Sequence, residues 1–551
     1  MRTKLTRASR LAERYRVDRR LPPSVRSLYE TTLRLRRRDA VERRAAAALP
    51  VLGDSKNARI ARLGSRRVAT AGTLDVPLSV LATSTADQVV SVLRDAGLEP
   101  FAVDLDEGRV VIGLTVDERP AALAALGRAA SGLLLEWSDR GTQRVATTDD
   151  PSRRAKVARS WVVFRPMAVE DRSTGPEAGV VVTFWAPGPS GQLELVGTRG
   201  HERFDVRSPH TVERVGGHDF PGRAAFPVGS DLRRIAEPVD LVYTWVDGAD
   251  PAWQESFRRT AAEAGRTIDE AALDPARFRS RDELRYSLRS VWMNCGWARH
   301  IYVVTAGQMP PWLAEHDRIT VVDHSDILPA SALPTFNSHA IEAALHRIEG
   351  LSEHFVYFND DMFVTRPTTP ETFFHPNGLA RVFQSGARIP GVEDDHTQAV
   401  DTAARRGREL LEETFGRVVA DKPLHSPYPL RRSVMEEIEE RLGDVIDQTW
   451  HSRFRAPSDL STAASFAQHY ALATGRATFD EIATEYVHVE SKRLAWHLDR
   501  IRLGDDIVTC CINETSDDDQ RRAEREATIE AFFQSMFPVA APWERTVDGT
   551  R

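Results

Sequence analysis

Cysteine is scarce in this chain: three among 551 residues, at Cys295, Cys510 and Cys511. Adjacent Cys510 and Cys511 are poor partners for one another, which excludes a disulfide framework. No CxxC pair is present to suggest a zinc site. No window of about 18 apolar residues exists, so no membrane span is expected. The opening residues lack an apolar h-region, so no secretory leader is expected. A reducing, cytoplasmic setting fits these absences. What is present is ordinary for globular protein: 41% hydrophobic and 28% charged residues. A chain this long needs more than one core.

Charge is unevenly spread. Residues 1–50 hold 15 Arg/Lys and 5 Asp/Glu, close to +10, which leaves the remainder near −17 against a total of −7. "LYETTLRLRRRDAVERRAAAAL" reads as a basic helical arm. It could touch anionic lipid at the cytoplasmic membrane face or an export complex; it reads equally as a solvated, Arg-rich helix. Nothing in this distribution points to nucleic acid. Residues 51–235 form an α/β accessory region in which strand-like and helix-like periods alternate from Val76 onward, beginning with "VPLSVLA". No catalytic arrangement is visible in it.

From 236 to 545 the pattern changes. Four β-branched apolar runs occur at 239–246, 300–307, 318–325 and 354–361, with helical segments such as "RDELRYSLRSVWMN" and "SHAIEAALHRI" between them. The second has Asn337 or Ser338 as its N-cap. This alternation predicts a mostly parallel, doubly wound sheet. Each run ends in acids or small residues: Asp247-Gly248-Ala249-Asp250, Thr305-Ala306-Gly307-Gln308, Asp323-His324-Ser325-Asp326, and Asn359-Asp360-Asp361. Open α/β sheets bind ligands outside the carboxyl ends of their strands. Asp360 and Asp361 are therefore expected at the mouth of a cleft, where they would hold Mg²⁺ or Mn²⁺; a simple capping turn is the alternative. "RFRSRDELRYSLRS" offers Arg277, Arg279, Arg281, Arg285 and Arg289, either as phosphate-binding forks or as a salt-bridged surface helix. His425, in "DKPLHSPYPLRRSV", and His451, Arg453 and Arg455, in "WHSRFRAPSDLS", are candidates for a base and for positive charge, though taken singly each such residue is more often structural.

Read together, "DLVYTWVDGAD", "RFRSRDELRYSLRS…HIYVVTAGQMPPWL", "LPTFNSHAIEAALHRIEGLSEHFVYFNDDMF", "LHSPYPLRRSVMEEI…RFRAPSDLS" and the closing "CINET" and "FFQSMFPVAAPWER" resemble the conserved regions of the Stealth family. That family includes bacterial capsular polysaccharide phosphotransferases and the animal enzyme that adds N-acetylglucosamine-1-phosphate to lysosomal glycoproteins. The resemblance implies a Rossmann-like, GT-A-like catalytic domain. It implies transfer of a sugar-1-phosphate from a nucleotide-diphosphate sugar, such as UDP-N-acetylglucosamine, to a glycan or polysaccharide acceptor. By position it implies Asn359, Asp360 and Asp361 as the metal and diphosphate motif, with Glu342 as an active-site acid. It implies His425 as the catalytic histidine, Arg455 as the phosphate-binding arginine, and Trp245 and Asp247 near the nucleotide, with Arg281 and Arg285 in the donor-binding helix. Ser280-Arg281 departs from the Asp-Asn that many members carry. A metal-dependent glycosyltransferase releasing nucleoside diphosphate is the alternative enzyme; a non-catalytic surface protein is the alternative class.

Overall fold

The computed structural model describes residues 60–545, apart from 64–65, 107–108, 130–131, 140–141, 149–154, 170–171, 189–192, 198–199, 205–209, 216–217, 224–231, 265–277, 279, 390–398, 505 and 515–520. The basic arm at 1–50, Arg277 and Arg279 lie outside the described residues. Among the described residues, no helix is long and apolar enough to cross a membrane.

The accessory region is built on an eight-stranded sheet. Two helices, Leu78–Asp95 and Arg119–Arg128, close a core that includes Val89, Leu93, Ile112, Leu126, Trp161 and Val182. "VPLSVLA" is helical, not a strand. Pro77 stands at the N-cap, and Leu81, Thr85, Val89 and Leu93 make a buried stripe at four-residue spacing, which a strand would have split between two faces.

The second part centres on a five-stranded sheet. Its strands are β1 (Val239–Thr244), β2 (Ile301–Thr305), β3 (Ile319–Asp323), β4 (His354–Asn359) and, further on, β6 (Tyr428–Arg431). The spatial order is β3-β2-β1-β4-β6. The first four strands run parallel, and β6 joins β4 antiparallel. Every residue of β2, and every residue of β1 and β4 but the last, is buried, as a sheet covered on both faces requires. The four apolar runs are thus the four parallel strands. The order reverses direction between β1 and β4, and such a switch point leaves a crevice at the carboxyl ends of the two strands.

Between β4 and the short β5 (Met362–Val364) stand only Asp360 and Asp361. β5 leaves the parallel sheet and pairs with β8 (Thr509–Asn513), which pairs in turn with β7 (Thr484–His488). The two acids therefore occupy the turn where the chain passes from one sheet to another, with buried strand on either side.

Helix α1 (Glu283–Asn294) matches its expected span. The helix expected over "SHAIEAALHRI" is shorter. Helix α2 (Ser338–Glu342) begins at Asn337, whose side chain accepts from the His339 N–H, and then gives way to a separate 3₁₀ turn at Leu345–Arg347. Ala343, Ala344 and Leu345 are all buried, so this stretch is enclosed on several sides and lacks the solvent face of a longer amphipathic helix.

The accessory region and the second part share a hydrophobic cluster. Leu74, Leu81 and Val169 pack with Met293, Phe363 and Phe533. A cavity of about 990 Å³ lies along this seam, bounded by Arg109, Arg172, Glu177, Thr365 and Arg366 among others.

The closing segment locks the other side of α1. Trp543 is fully buried against Trp292 and His316, with ring centroids 5.6 Å from each. Its carbonyl accepts from the Ala314 N–H. Glu544 receives Arg285 and Arg289 at 2.7 Å. Truncating Trp543→Ala should cost roughly 3–5 kcal/mol of stability. Urea unfolding measures it, and a loss below about 1 kcal/mol would show that this segment does not close the core.

Candidate functional site

Parallel pairing sets Thr244 of β1 opposite Asn359 of β4. A hydrogen-bonded chain grows from that register. The Tyr357 hydroxyl donates to Asn359 Oδ1 at 2.8 Å and lies 3.0 Å from Thr244 Oγ1. Across the sheet, Tyr357 faces Tyr428 of β6, the two rings stacked with centroids 6.0 Å apart. The Tyr428 hydroxyl lies 3.0 Å from His425 Nδ1. His425 is held on its loop by backbone bonds on either side, Leu424 N–H to the Phe383 carbonyl and Ser426 N–H to the Leu424 carbonyl. Its Nε2 is buried without a hydrogen-bond partner.

The acids crowd together beside this chain. Ligand atoms of Asp361, His425 and Cys511 all lie within 4.8 Å of one another. The Cys511 thiol contacts Asp361 Oδ2 at 3.2 Å, while Asp361 Oδ1 is buried without a partner. Burial, then the charges of Asp361 and Glu283, push the Asp360 carboxyl well above its ordinary value. Burial likewise raises Asp361, with His425 and the Cys511 contact pulling it part of the way back. Glu283 is raised by burial as well, against the opposing pull of Arg281. Glu283 has Arg281 as its ion-pair partner, whereas burial and neighbouring carboxyls hold Asp360 back from ionising and burial holds back Asp361. Carboxylate oxygens are the donors that Mg²⁺ or Mn²⁺ takes, so Asp360 and Asp361 fit such an ion. Burial pushes the Cys511 thiol up, so it stands as a neutral thiol, a poor ligand for a hard cation.

On the far side, Arg455 reaches in from the loop after the helix Gly443–His451. One of its terminal nitrogens donates to Ser338 Oγ at 2.7 Å, and its Nε is buried without a partner. Burial lowers its pKa, opposed by the charges of Glu342, Tyr357 and Asp459. Glu342 is buried, accepts from the Ala464 N–H at 3.3 Å, and lies in electrostatic reach of Tyr357 and Tyr428 as well. The loop that carries Arg455 is pinned twice. Asn337 Nδ2 donates to the Ser452 carbonyl and to Asp459, each at 2.8 Å. Phe336 and Phe454 stack at 5.4 Å in an aromatic cluster with Trp253 and Phe257.

The structure thus brings Asn359, Asp360, Asp361, Glu342, His425 and Arg455 to one switch point. Trp245 continues from β1 and packs against the sheet core. Asp247 begins the next turn, where Gln308, from the end of β2, bonds both its N–H and its carbonyl and also Asp250. Gly248 is required there, because a Cβ would lie 2.2 Å from the Phe278 carbonyl oxygen. The α1 arginines divide. Arg281 pairs with Glu283 and Glu514 beside Asp360. Arg285 and Arg289 instead close on Glu544, the salt-bridged-helix alternative, because that acid sits over the same helix face and occupies their nitrogens. No sequence motif assigns a role to Tyr357, Tyr428, Glu283 or Cys511, and Gln308 stands out only as one of the strand-end residues. β4 and β6 are covered on both faces, so no alternation picks out either tyrosine, and no local spacing shows that their hydroxyls meet the site.

Four family models describing conserved regions of Stealth proteins match the chain: region 1 at 237–263, region 2 at 277–382, region 3 at 424–472 and region 4 at 499–550. An exopolysaccharide phosphotransferase of Streptomyces coelicolor is 38% identical over 488 residues, 84% of this chain and 83% of that protein. A second from the same organism is 37% identical over 500 residues, 85% and 91% of the two chains. The exopolysaccharide phosphotransferase CpsY of Mycobacterium tuberculosis is 40% identical over 310 residues, 56% and 58%. Among solved structures, mouse xyloside xylosyltransferase 1 in its apo form is 10% identical, covering 50% of this chain and 97% of its own, with a TM-score of 0.24.

The crowded acids make a pH-dependent expectation. Carboxyls whose folded-state pKa values are raised bind more protons in the folded than in the unfolded chain, so they lower stability as pH rises above about 4. Without divalent cation, the melting temperature should therefore fall as pH rises above about 4, and Asp361→Asn should flatten that fall. Calorimetry with and without Mg²⁺ measures both; equal slopes for parent and variant would remove the repulsion from the account.

Proposed function

The chain belongs to the Stealth family, and from that premise we propose that it transfers a sugar-1-phosphate from a nucleoside-diphosphate sugar to a glycan hydroxyl in extracellular polysaccharide synthesis. Its relatives carry the name exopolysaccharide phosphotransferase, which supports the reaction class. The observation that carries the reading is the convergence of half-buried Asp360 and Asp361, an imidazole with a bare nitrogen and an arginine with one unmatched nitrogen at one strand switch point. We take the domain at 236–545 to be Rossmann-like and of the GT-A-like kind, with the nucleotide at the end of β1 beside Trp245 and Asp247.

Asp360 and Asp361 would hold Mg²⁺ or Mn²⁺, which when bound neutralises charge on the diphosphate oxygens. Asn359, anchored by Tyr357, sits beside them to orient the donor. His425 Nε2 takes the proton from the acceptor hydroxyl. The oxygen so freed forms a bond to the phosphorus that bears the sugar, and the bond from that phosphorus to the bridging oxygen breaks. Nucleoside monophosphate leaves with that oxygen, and a phosphodiester remains. Arg455 faces the equatorial oxygens of the transferring group, where electrostatic stabilisation supplies a large part of catalysis in phosphoryl transfer. Glu342 balances the buried guanidinium. Arg281 is tied up by Glu283 and Glu514, and it acts by setting the charge beside Asp360.

Two measurements test this reading. Purified protein with Mg²⁺ and a panel of nucleotide sugars should release nucleoside monophosphate. Release of the diphosphate would make the protein a glycosyltransferase instead. His425→Ala should lose about 10²–10⁴ in rate, and Asp361→Asn should lose turnover by a similar order while remaining folded. A histidine variant within a few fold of the parent moves the base elsewhere, with Glu342 the next carboxylate to test.

A further inference from the structure

His425 is a base only in one of its two neutral tautomers, the one with the proton on Nδ1 and a lone pair on Nε2. We infer that Tyr428 is the positioning residue that enforces this form: its phenol oxygen accepts the Nδ1–H, leaving Nε2 open toward the acceptor. The inference rests on the reading of His425 as the base.

Three observations carry it. The Tyr428 hydroxyl is the polar group at 3.0 Å from Nδ1, and Nε2 is buried with no partner at all. If the phenol donated to Nδ1, Nε2 would carry an N–H in a buried place with nothing to receive it, and buried orphan N–H groups are the rarer and costlier defect. Asp361 Oδ1 is itself partnerless, so these two atoms do not satisfy one another. Second, the phenol O–H turns about its C–O bond, whereas an imidazole N–H is fixed in the plane of the ring. The hydroxyl can therefore turn its proton aside and present an oxygen lone pair to Nδ1–H at the 3.0 Å contact. Third, Tyr428 cannot swing away. It is buried, set in β6 directly opposite Tyr357, and stacked on that ring. The Tyr486 ring meets His425 edge-on at 5.5 Å, so the imidazole is held from a second side. The groups facing His425 are therefore Tyr428, Tyr486, Asp361 and Cys511.

The experiment uses the full chain with ¹⁵N-histidine. The His425 resonances are identified by their loss in His425→Ala. In the parent, Nδ1 should appear as the protonated nitrogen and Nε2 as the bare one. The reverse assignment overturns the proposal without any variant. In Tyr428→Phe, which keeps the buried ring, the two tautomers should mix. Its kcat should fall about 10-fold or more, short of the roughly 10²–10⁴ for removing the base, with the donor KM unchanged. On the His425→Ala background the same change should have no further effect. An equal kcat loss on both backgrounds would mean that the hydroxyl serves structure alone. A His425→Ala variant with near-parental rate sinks the base assignment, whereas the tautomer measurement still decides what Tyr428 does to the ring.

Discussion

The parallel pairing of β1 with β4 is the constraint on which the site depends. It places Thr244 and Asn359 side by side at the carboxyl ends of neighbouring strands. From there the chain can only turn out of the sheet, and the turn is Asp360-Asp361. β4 takes β6 on its other edge, and that second register brings Tyr428 over Tyr357 and His425 over the acids. One ladder of backbone hydrogen bonds thus aligns residues that are about 115 and 70 positions apart in sequence.

Burial strengthens charge interactions in both directions. Asp360 is repelled by Asp361 and by Glu283 in a place where burial already disfavours its charge, and half-buried Arg455 keeps its Nε buried and unmatched. Such a site is unfavourable for the bare fold. The stability that offsets it lies elsewhere: in the continuous core of the parallel sheet, in the aromatic cluster under the Arg455 loop, and in the Trp543-Glu544 closure over α1. The same closure explains why the arginine-rich helix divides its work. The residues facing the closing segment are structural, and Arg281, a turn earlier, belongs to the acids.

The accessory region enters this picture through packing. Leu74 and Leu81 share a cluster with Phe363 of β5 and with Met293 of α1, two elements that flank the acidic turn. The two parts are therefore one mechanical body around β5 even though they keep separate main cores. The cavity along their seam is lined by arginines other than those of the site, Arg109, Arg172 and Arg366.

Much of this was legible in the residues themselves. Continuous β-branched runs can only be strands covered on both faces, and runs that end in acids mark strand ends facing water, so the parallel sheet and the acidic turn follow from the chain order. The long motifs identify the family for the same reason, since they are the contiguous residues at those ends. What local pattern misjudged was local too: a proline-led helix start taken as a strand, and a helix shortened by enclosure. Only the tertiary structure decided the rest. That Glu544 takes Arg285, that Glu283 presses on Asp360, and that Tyr428 stacks on Tyr357 are contacts between distant segments or across a strand register. They depend on burial and on direction in space, and neither is a property of spacing along a chain.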